Sequence, residues 1–303
     1  MIIIKNKNIF FAITGTFVFV ALACITIFGL KLGTDFTGGT LVQVSYPDGR
    51  PLPQEISAAL DGAGFAGYSL REAEERDYLL RAANLIGEQR ANLTETFSIG
   101  GEHAVEIVQL TEVGPIIGKE LRNKAFIAVA LVMTAILFFI AFAFRKVSKP
   151  ISSWIYGLIA LITLGFDVLI PVGFYAFLGF LTGAQVDTLF VTAVLTVLGY
   201  SVHDTIVVFD RVRENLRLNQ EANRREDFSD TAGHSLQQTF VRSMTTSATT
   251  ALALLALFFL GPASTSNFAL TLLVGVIAGT YSSIFFATPL LVVMERYFAR
   301  RAK

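Results

Sequence analysis

Six stretches of this chain are each long and apolar enough to cross the hydrocarbon of a bilayer, which takes about 20 mostly apolar residues in a row. They run from Ile9 to Leu30, Ala125 to Phe144, Ile155 to Leu181, Leu189 to Phe209, Val241 to Leu260 and Phe268 to Met294. So much apolar surface does not fit one water-soluble core. Composition agrees, with 53% hydrophobic and only 16% charged residues, against about 25% charged in an ordinary soluble domain. The first run carries no charge, follows Lys5 and Lys7 and is 22 residues long. The apolar part of a secretory signal is about 7–15 residues, so this run reads as a retained anchor.

Orientation follows from the Lys and Arg of the short connections, which favour the cytoplasmic side. With the N-terminus inside, the cytoplasmic segments hold Lys5, Lys7, Arg145, Lys146, Lys149, Arg211, Arg213, Arg217, Arg224, Arg225, Arg296, Arg300, Arg301 and Lys303. The two short outside loops, Thr182 to Thr188 and Gly261 to Asn267, hold none. Both termini are therefore expected in the cytoplasm. The segment Lys31 to Lys124 is a polar island of 94 residues that must lie outside; its nine Lys/Arg do not oppose this, because long segments translocate largely regardless of charge.

Within that island, Thr40 to Tyr46 alternates with period two, Asp48-Gly49 supplies a turn, and Pro53 to Leu60 predicts a short helix stopped near Gly62 and Gly64. Tyr78 to Arg81 and Ala104 to Leu110 are further strand candidates, and a helix from Pro115 to Asn123 leads into the second span. The expected fold class is a polytopic α-helical membrane protein, six transmembrane helices with one small α+β extracytoplasmic domain between the first and second. Residues 1–30 form the cytoplasmic N-terminus and first span, 31–124 the outer domain, and 125–303 a five-helix bundle with a cytoplasmic C-terminus.

Several function classes fall away. Lys+Arg and Asp+Glu are both 24, so bulk positive charge gives no support to nucleic-acid binding. Cys24 is alone, which excludes an internal disulfide or a Cys-based zinc site, and His103, His203 and His234 are too scattered for a metal cluster. Gly38-Gly39 after Asp35-Phe36 lacks the Lys-Ser/Thr element of a phosphate loop and reads as a turn. With no ATPase motif, no cofactor site and no catalytic constellation, the chain does not read as an enzyme. Energy for any work must come from an ion gradient or a partner.

An ionisable side chain deep in a span is costly and usually serves a function. Asp167, Asp204 and Arg242 are in that position. Asp204 lies seven residues before Arg211, about 10 Å deeper by helical rise. With Thr192, Thr196 and Tyr200 it forms a polar stripe at i+4 spacing, which should face protein or water rather than lipid. The bland alternative is an Asp that caps a helix or pairs with Arg211. Arg242 opens the fifth span in a hydroxyl-rich stretch, and counting from the outside ends puts it within about 5 Å of the depth of Asp204. It can reach that carboxyl, or it can snorkel to the headgroups. Since Arg keeps its proton, moving it toward or away from Asp204 would switch the Asp between a paired carboxylate and a neutral acid. That is the smallest device that couples proton passage to a change of shape.

Asp167 lies about 16 Å past Tyr156, four residues before Pro171, whose missing N–H frees the carbonyl of residue 167. A second proton site and a packing carboxyl bonded to a neighbouring helix are both open. Pro289 is expected to kink the last span for structural reasons. His203 points about 100° away from Asp204 and is expected to be a satisfied interior histidine. Asp187 reads as the N-cap of the fourth span.

Four stretches carry a family resemblance: Gly33-Thr-Asp-Phe-Thr-Gly-Gly-Thr40, Val113-Gly-Pro-Ile-Ile-Gly-Lys-Glu-Leu121, Gly199-Tyr-Ser-Val-His-Asp-Thr-Ile-Val-Val-Phe-Asp-Arg-Val-Arg-Glu-Asn215 and Thr239-Phe-Val-Arg-Ser-Met-Thr-Thr-Ser-Ala-Thr-Thr250. Together they resemble the SecD/SecF family of protein translocase subunits, on its SecF side, over essentially the whole chain. The resemblance implies half of a resistance-nodulation-division-type fold, completed by a SecD-like six-span subunit beside the SecYEG channel. It implies a place in the bacterial inner membrane and use of the proton gradient to help an unfolded polypeptide finish crossing. It also implies that Asp204 and Arg242 are the proton-linked residues. Asp167 matches an aspartate that the family often precedes with His, where this chain has Phe166, and position 203, commonly Asn, is His203. The competing functions are half of a small-molecule exporter of similar fold and a non-energised scaffold.

Overall fold

The computed structural model describes residues 2–73, 76–85, 87–145, 151–224 and 226–301. Lys146, Lys149, Arg225 and Lys303, named above among the basic residues, lie outside the described residues. The chain divides into two compact units, one holding the chain up to Lys31, Ile127–Ala184 and Leu189 onward, the other Leu32–Phe126 with Gln185–Thr188.

Six helices are long and apolar enough to span a membrane, as the sequence predicts. The first span is α1 (Lys7–Phe28). The smaller unit then supplies β1 (Gly39–Ser45), α2 (Pro53–Gly62), β2 (Ser69–Ala73), β3 (Asp77–Ala82) and β4 (Glu106–Val113). The remaining spans are α3 (Pro115–Ala143), α4 (Ser153–Thr182), α5 (Thr188–Glu221), α6 (Phe228–Leu260) and a last one made of α7 (Ala263–Ser282), a π turn at Ser283–Ala287 and α8 (Thr288–Arg301).

The small unit is an antiparallel sheet in the order β2-β3-β1-β4. Alternation sets its face: Val42 stands opposite Leu80 and Val44 opposite Tyr78, and all four are buried with Tyr46 and with Ile56 and Leu60 of α2. Pro53 starts α2, and the Leu52 N–H donates to the Glu55 carboxylate at 3.0 Å, which satisfies a group the first turn leaves open. The turn at Gly38-Gly39 has φ of +81° and +138°, and β1 follows it. β2 is a finding the sequence reading lacks. Its Arg71 and Glu72 break the apolar alternation, as suits an edge strand. Gln185–Thr188 belongs to this unit: Leu32 bridges Val186 in parallel, and Gly33 N–H donates to the Val186 carbonyl at 2.8 Å.

In the larger unit α4, α5 and the last span carry most of the buried residues, α1 and α3 expose most of theirs, and α6 buries one face. Two features add to the sequence reading and one expectation needs correction. The Arg-rich connection between the fourth and fifth apolar runs is mostly helical, because α5 continues to Glu221 and α6 begins at Phe228. Ion pairs at i,i+3 and i,i+4 support that extension, Arg211–Glu214 at 2.6 Å, Asp210–Arg213 at 3.1 Å and Arg217–Glu221 at 3.5 Å. Ahead of Pro289 the last span widens into a π turn: proline has no N–H to give the carbonyl one turn back, and the wider winding absorbs the mismatch. His203 lies on an exposed face of α5 rather than inside.

Candidate functional site

Where a membrane bundle should be driest, the inner helices carry a layer of buried polar side chains. It contains Thr163 and Asp167 on α4, Ser201, Asp204 and Thr205 on α5, Ser243 and Ser247 on α6, and Thr280, Ser282 and Ser283 on the last span. Such groups are tolerated only where they bond one another, so this layer is the first place to look for function.

Asp167 is fully buried, and one oxygen accepts a hydrogen bond from the Ser201 hydroxyl. Its other oxygen, Oδ1, is buried without a hydrogen-bond partner among the described residues. Asp204 sits one turn along α5 from Ser201, 4% exposed, and accepts from Ser247 at 3.4 Å, near the long limit for a hydrogen bond. Ser247 is a junction. Its oxygen also meets the Tyr200 hydroxyl at 3.2 Å and the Thr280 hydroxyl at 2.6 Å. Thr280 has a single hydroxyl proton and lies 2.8 Å from the Val276 carbonyl as well, so it can serve only one of these acceptors at a time. Thr205 and Ser283 meet at 2.8 Å, which ties α5 to the π turn. Close helix approach makes the layer tight: a Cβ on Gly279 would stand 2.8 Å from the Ser201 Cβ.

The sequence-predicted residues divide. Asp204 and Tyr200 both meet Ser247, while Asp167 bonds Ser201, which lies one turn from Asp204 on α5. Thr192 and Thr196 are exposed farther along the stripe. Arg242 is exposed, and its side chain makes no hydrogen bond or ion pair among the described residues, so it acts on Asp204 only from a distance in this conformation. The residues bonded to the two carboxyls, Ser201 and Ser247, were missed. One signal was present, because Thr231, Ser235, Thr239, Ser243 and Ser247 recur every four residues and all are buried on one face of α6. Among the described residues no group of three or more His, Cys, Asp or Glu could hold a metal.

In the small unit, Asp35 was read only as part of a turn, yet its Oδ2 accepts from the Thr188 N–H at 2.9 Å and the Thr188 hydroxyl at 2.7 Å. Asp35 thus satisfies the first backbone donor of α5.

Fold and polar layer together define a six-span membrane protein with an α+β insertion after the first span and carboxyls buried in its helical bundle. The chain matches the profile described as protein export membrane protein SecD/SecF, C-terminal, over residues 94–297, and the SecD/SecF GG motif over residues 25–46. It is 40% identical to the protein translocase subunit SecF of Thermobaculum terrenum, covering 97% of this chain and 93% of that one. To the SecF of Pseudomonas aeruginosa it is 34% identical over 94% of this chain and 89% of that one. The crystal structure of SecDF, a translocon-associated membrane protein from Thermus thermophilus, aligns with a TM-score of 0.82 and 30% identity over 97% of this chain. This chain spans 38% of that longer one. The chain belongs to the SecD/SecF family of protein-export membrane proteins.

Proposed function

We propose that this chain is the SecF-type subunit of a protein-export complex in the bacterial inner membrane, and that it couples proton movement through its bundle to late-stage translocation of unfolded polypeptides. The observation that carries the reading is the pair of buried carboxyls one helix apart, Asp167 bonded to Ser201 of α5 and Asp204 bonded to Ser247, which also meets Thr280. Asp204 takes up and releases the proton, Asp167 is a second site beside it, and Arg242 acts on Asp204 by approaching it in another conformation. Tyr200 reaches the same junction through Ser247, while Thr192 and Thr196 continue the stripe.

Two features support a partner. Arg242 stands on an exposed face within the apolar length of α6, where lipid alone is a costly neighbour. The Thermus thermophilus relative named protein translocase subunit SecDF matches this chain over only 37% of its own length. A SecD-like six-span subunit would cover the exposed polar face, and the SecYEG channel would supply the emerging polypeptide to the outer domain, residues 31–124. Both termini then lie in the cytoplasm, as the Lys/Arg distribution requires, and the bundle of residues 125–303 sits in lipid.

The experiment is gradient-stimulated translocation into vesicles that carry the assembled complex. Asp204→Asn keeps the size of the side chain and cannot carry charge; it should abolish the response to an imposed proton gradient while the complex still assembles. A variant that responds as strongly as the parent would sink the coupling role and favour a non-energised scaffold. Export of small molecules by the same vesicles would favour an exporter half instead.

A further inference from the structure

The polar layer around Asp204 does not continue to the Arg-rich end of α5 and α6, but a second polar region begins there. Between the two helices lies a cavity of about 580 Å³ lined by residues that include Asn215, Asn219, Glu226, Thr231 and His234. It is a built site, since Asn215 donates to Ser235 at 2.8 Å, and Asn219 to Thr231 at 3.1 Å and to Glu226 at 2.6 Å. From Ser235 to Ser243 the face of α6 advances eight residues, about 12 Å. Across that gap Val208 of α5, Leu236 of α6 and Ile284 of the π turn pack together, each 3% exposed or less. Thr239 is the one hydroxyl of the α6 series at that level, and it bonds carbonyls of its own helix, Ser235 at 3.1 Å and Leu236 at 3.2 Å. Just beyond the apolar layer the Ser243 hydroxyl is 1% exposed and lies against Asp204, outside the geometry of a full hydrogen bond. A buried hydroxyl set loosely against Asp204 on the far side of a dry layer is where water crossing that layer would find a polar partner.

We propose that the cleft between α5 and α6 is the mouth through which Asp204 exchanges protons with the cytoplasm, and that Val208, Leu236 and Ile284 are the barrier closing it in this conformation. The inference rests on the proton-coupling reading above. When the barrier parts, water from the cleft reaches Ser243, hydronium gives its proton to an Asp204 oxygen, and a water molecule remains. Ile284 is the movable member, because it belongs to a single π turn. Rewinding that turn as α-helix shifts the register by one residue and rotates the side chain by about 100° away from the layer.

The test uses the assembled complex in inverted vesicles, in a Cys24→Ser background, with a small cationic methanethiosulfonate reagent added from the cytoplasmic side. His234→Cys, in the mouth, should label fast in every background. Ser243→Cys should label at least tenfold more slowly with the barrier intact, and should approach the His234→Cys rate when Leu236→Ala or Ile284→Ala is added. Leu252→Ala, on an exposed face of α6, should leave the slow rate unchanged. Thr163→Cys, buried on α4, should stay unlabelled throughout, which separates local opening from general loosening. If Leu236→Ala loosens the bundle, the milder Val208→Ala and Ile284→Val must show the same ordering. Equal labelling of Ser243→Cys with and without the barrier side chains, or fast labelling with them intact, would overturn the proposal. Labelling needs neither gradient nor substrate. Barrier variants that open yet show a passive proton leak indifferent to Asp204→Asn would instead count against the coupling reading.

Discussion

The Ser201 hydroxyl donates to Asp167 from α5 to α4, within the buried polar layer of the bundle. Removing a donor from a buried acceptor costs about 1–3 kcal/mol. Ser201→Ala should therefore lower the apparent unfolding temperature of the detergent-solubilised protein, and Ser229→Ala, outside the layer, should leave it alone. Ser201→Thr restores a hydroxyl, but the added methyl must compete with the close approach at Gly279, so only partial recovery is expected. Equal unfolding temperatures for Ser201→Ala and the parent would mean that the Asp167 contact contributes nothing.

Packing of the first span on the fourth helix can be tested at Gly173 of α4. A Cβ there would lie 2.6 Å from the Cα of Ala21 and 2.8 Å from its carbonyl oxygen, and backbone atoms cannot swing aside. Gly173→Ala should destabilise the bundle by about 1–3 kcal/mol, whereas Gly165→Ala on the same helix meets nothing within 4 Å. Thermal unfolding of both variants gives the comparison, and the contact is refuted if the two behave alike.

Asp35 is expected to behave as a cap. Asp35→Ala should cost about 1 kcal/mol and speed hydrogen exchange at Thr188, measurable by mass spectrometry on the peptide that spans the start of α5. Asp35→Asn keeps an acceptor and should fall between the two. Exchange unchanged in Asp35→Ala would show that the bond is not maintained in solution.

Tyr46 predicts a pH dependence for the α+β unit. Its hydroxyl is buried and donates to the Phe97 carbonyl at 2.9 Å. Burial first, and then neighbouring Tyr78, push its ionisation above the ordinary phenol value of about 10. The group is neutral in both states below that pH; above it the unfolded phenol loses its proton first. Its contribution is thus whole below pH about 10 and is lost as pH climbs toward the folded value. Tyr46→Phe should cost about 1 kcal/mol at pH 7.5, and the deficit should shrink at strongly alkaline pH. A deficit of constant size in denaturant titrations at both pH values contradicts this.

Topology is the prediction on which the direction of every proton step depends. Ala58 is exposed on α2; Ala58→Cys, with Cys24 replaced by serine, should react with an impermeant thiol reagent only from the periplasmic side. Reaction only from the cytoplasm would reverse the assignment of the two faces.

How much of this could be read beforehand varied with the range of the interaction. The six spans, β1, α2 and β3 follow from local periodicity, which a sequence displays directly. β2 escaped because an edge strand with Arg71 and Glu72 has no buried alternation to show. Asp167 and Asp204 were visible as charges out of place, but their hydrogen-bond donors come from helices packed against them, so Ser201 and Ser247 could be found only once those faces met. The Thr231 to Ser247 series was available at i+4 spacing and passed over, since serine and threonine are common in spans. The π turn could not be read, because the winding that accommodates Pro289 depends on the helices around it. Arg242 shows the converse: matching depth to Asp204 does not bring two side chains together when one faces outward.

The amide-to-hydroxyl bonds between α5 and α6 also bear on how the chain is made. The fifth span opens with Arg242 and a run of hydroxyls, which make it a poorer substrate for insertion than a purely apolar run. By the time α6 leaves the ribosome, α5 has already been synthesised, with Asn215 and Asn219 in place to receive Ser235 and Thr231. The two helices can therefore be handed to the bilayer as a hairpin, the earlier one acting as an intramolecular chaperone for the later. Glycosylation-site mapping of nascent chains should find the fifth span inserting poorly on its own and efficiently behind the fourth, and Asn215→Leu with Asn219→Leu should erode that advantage.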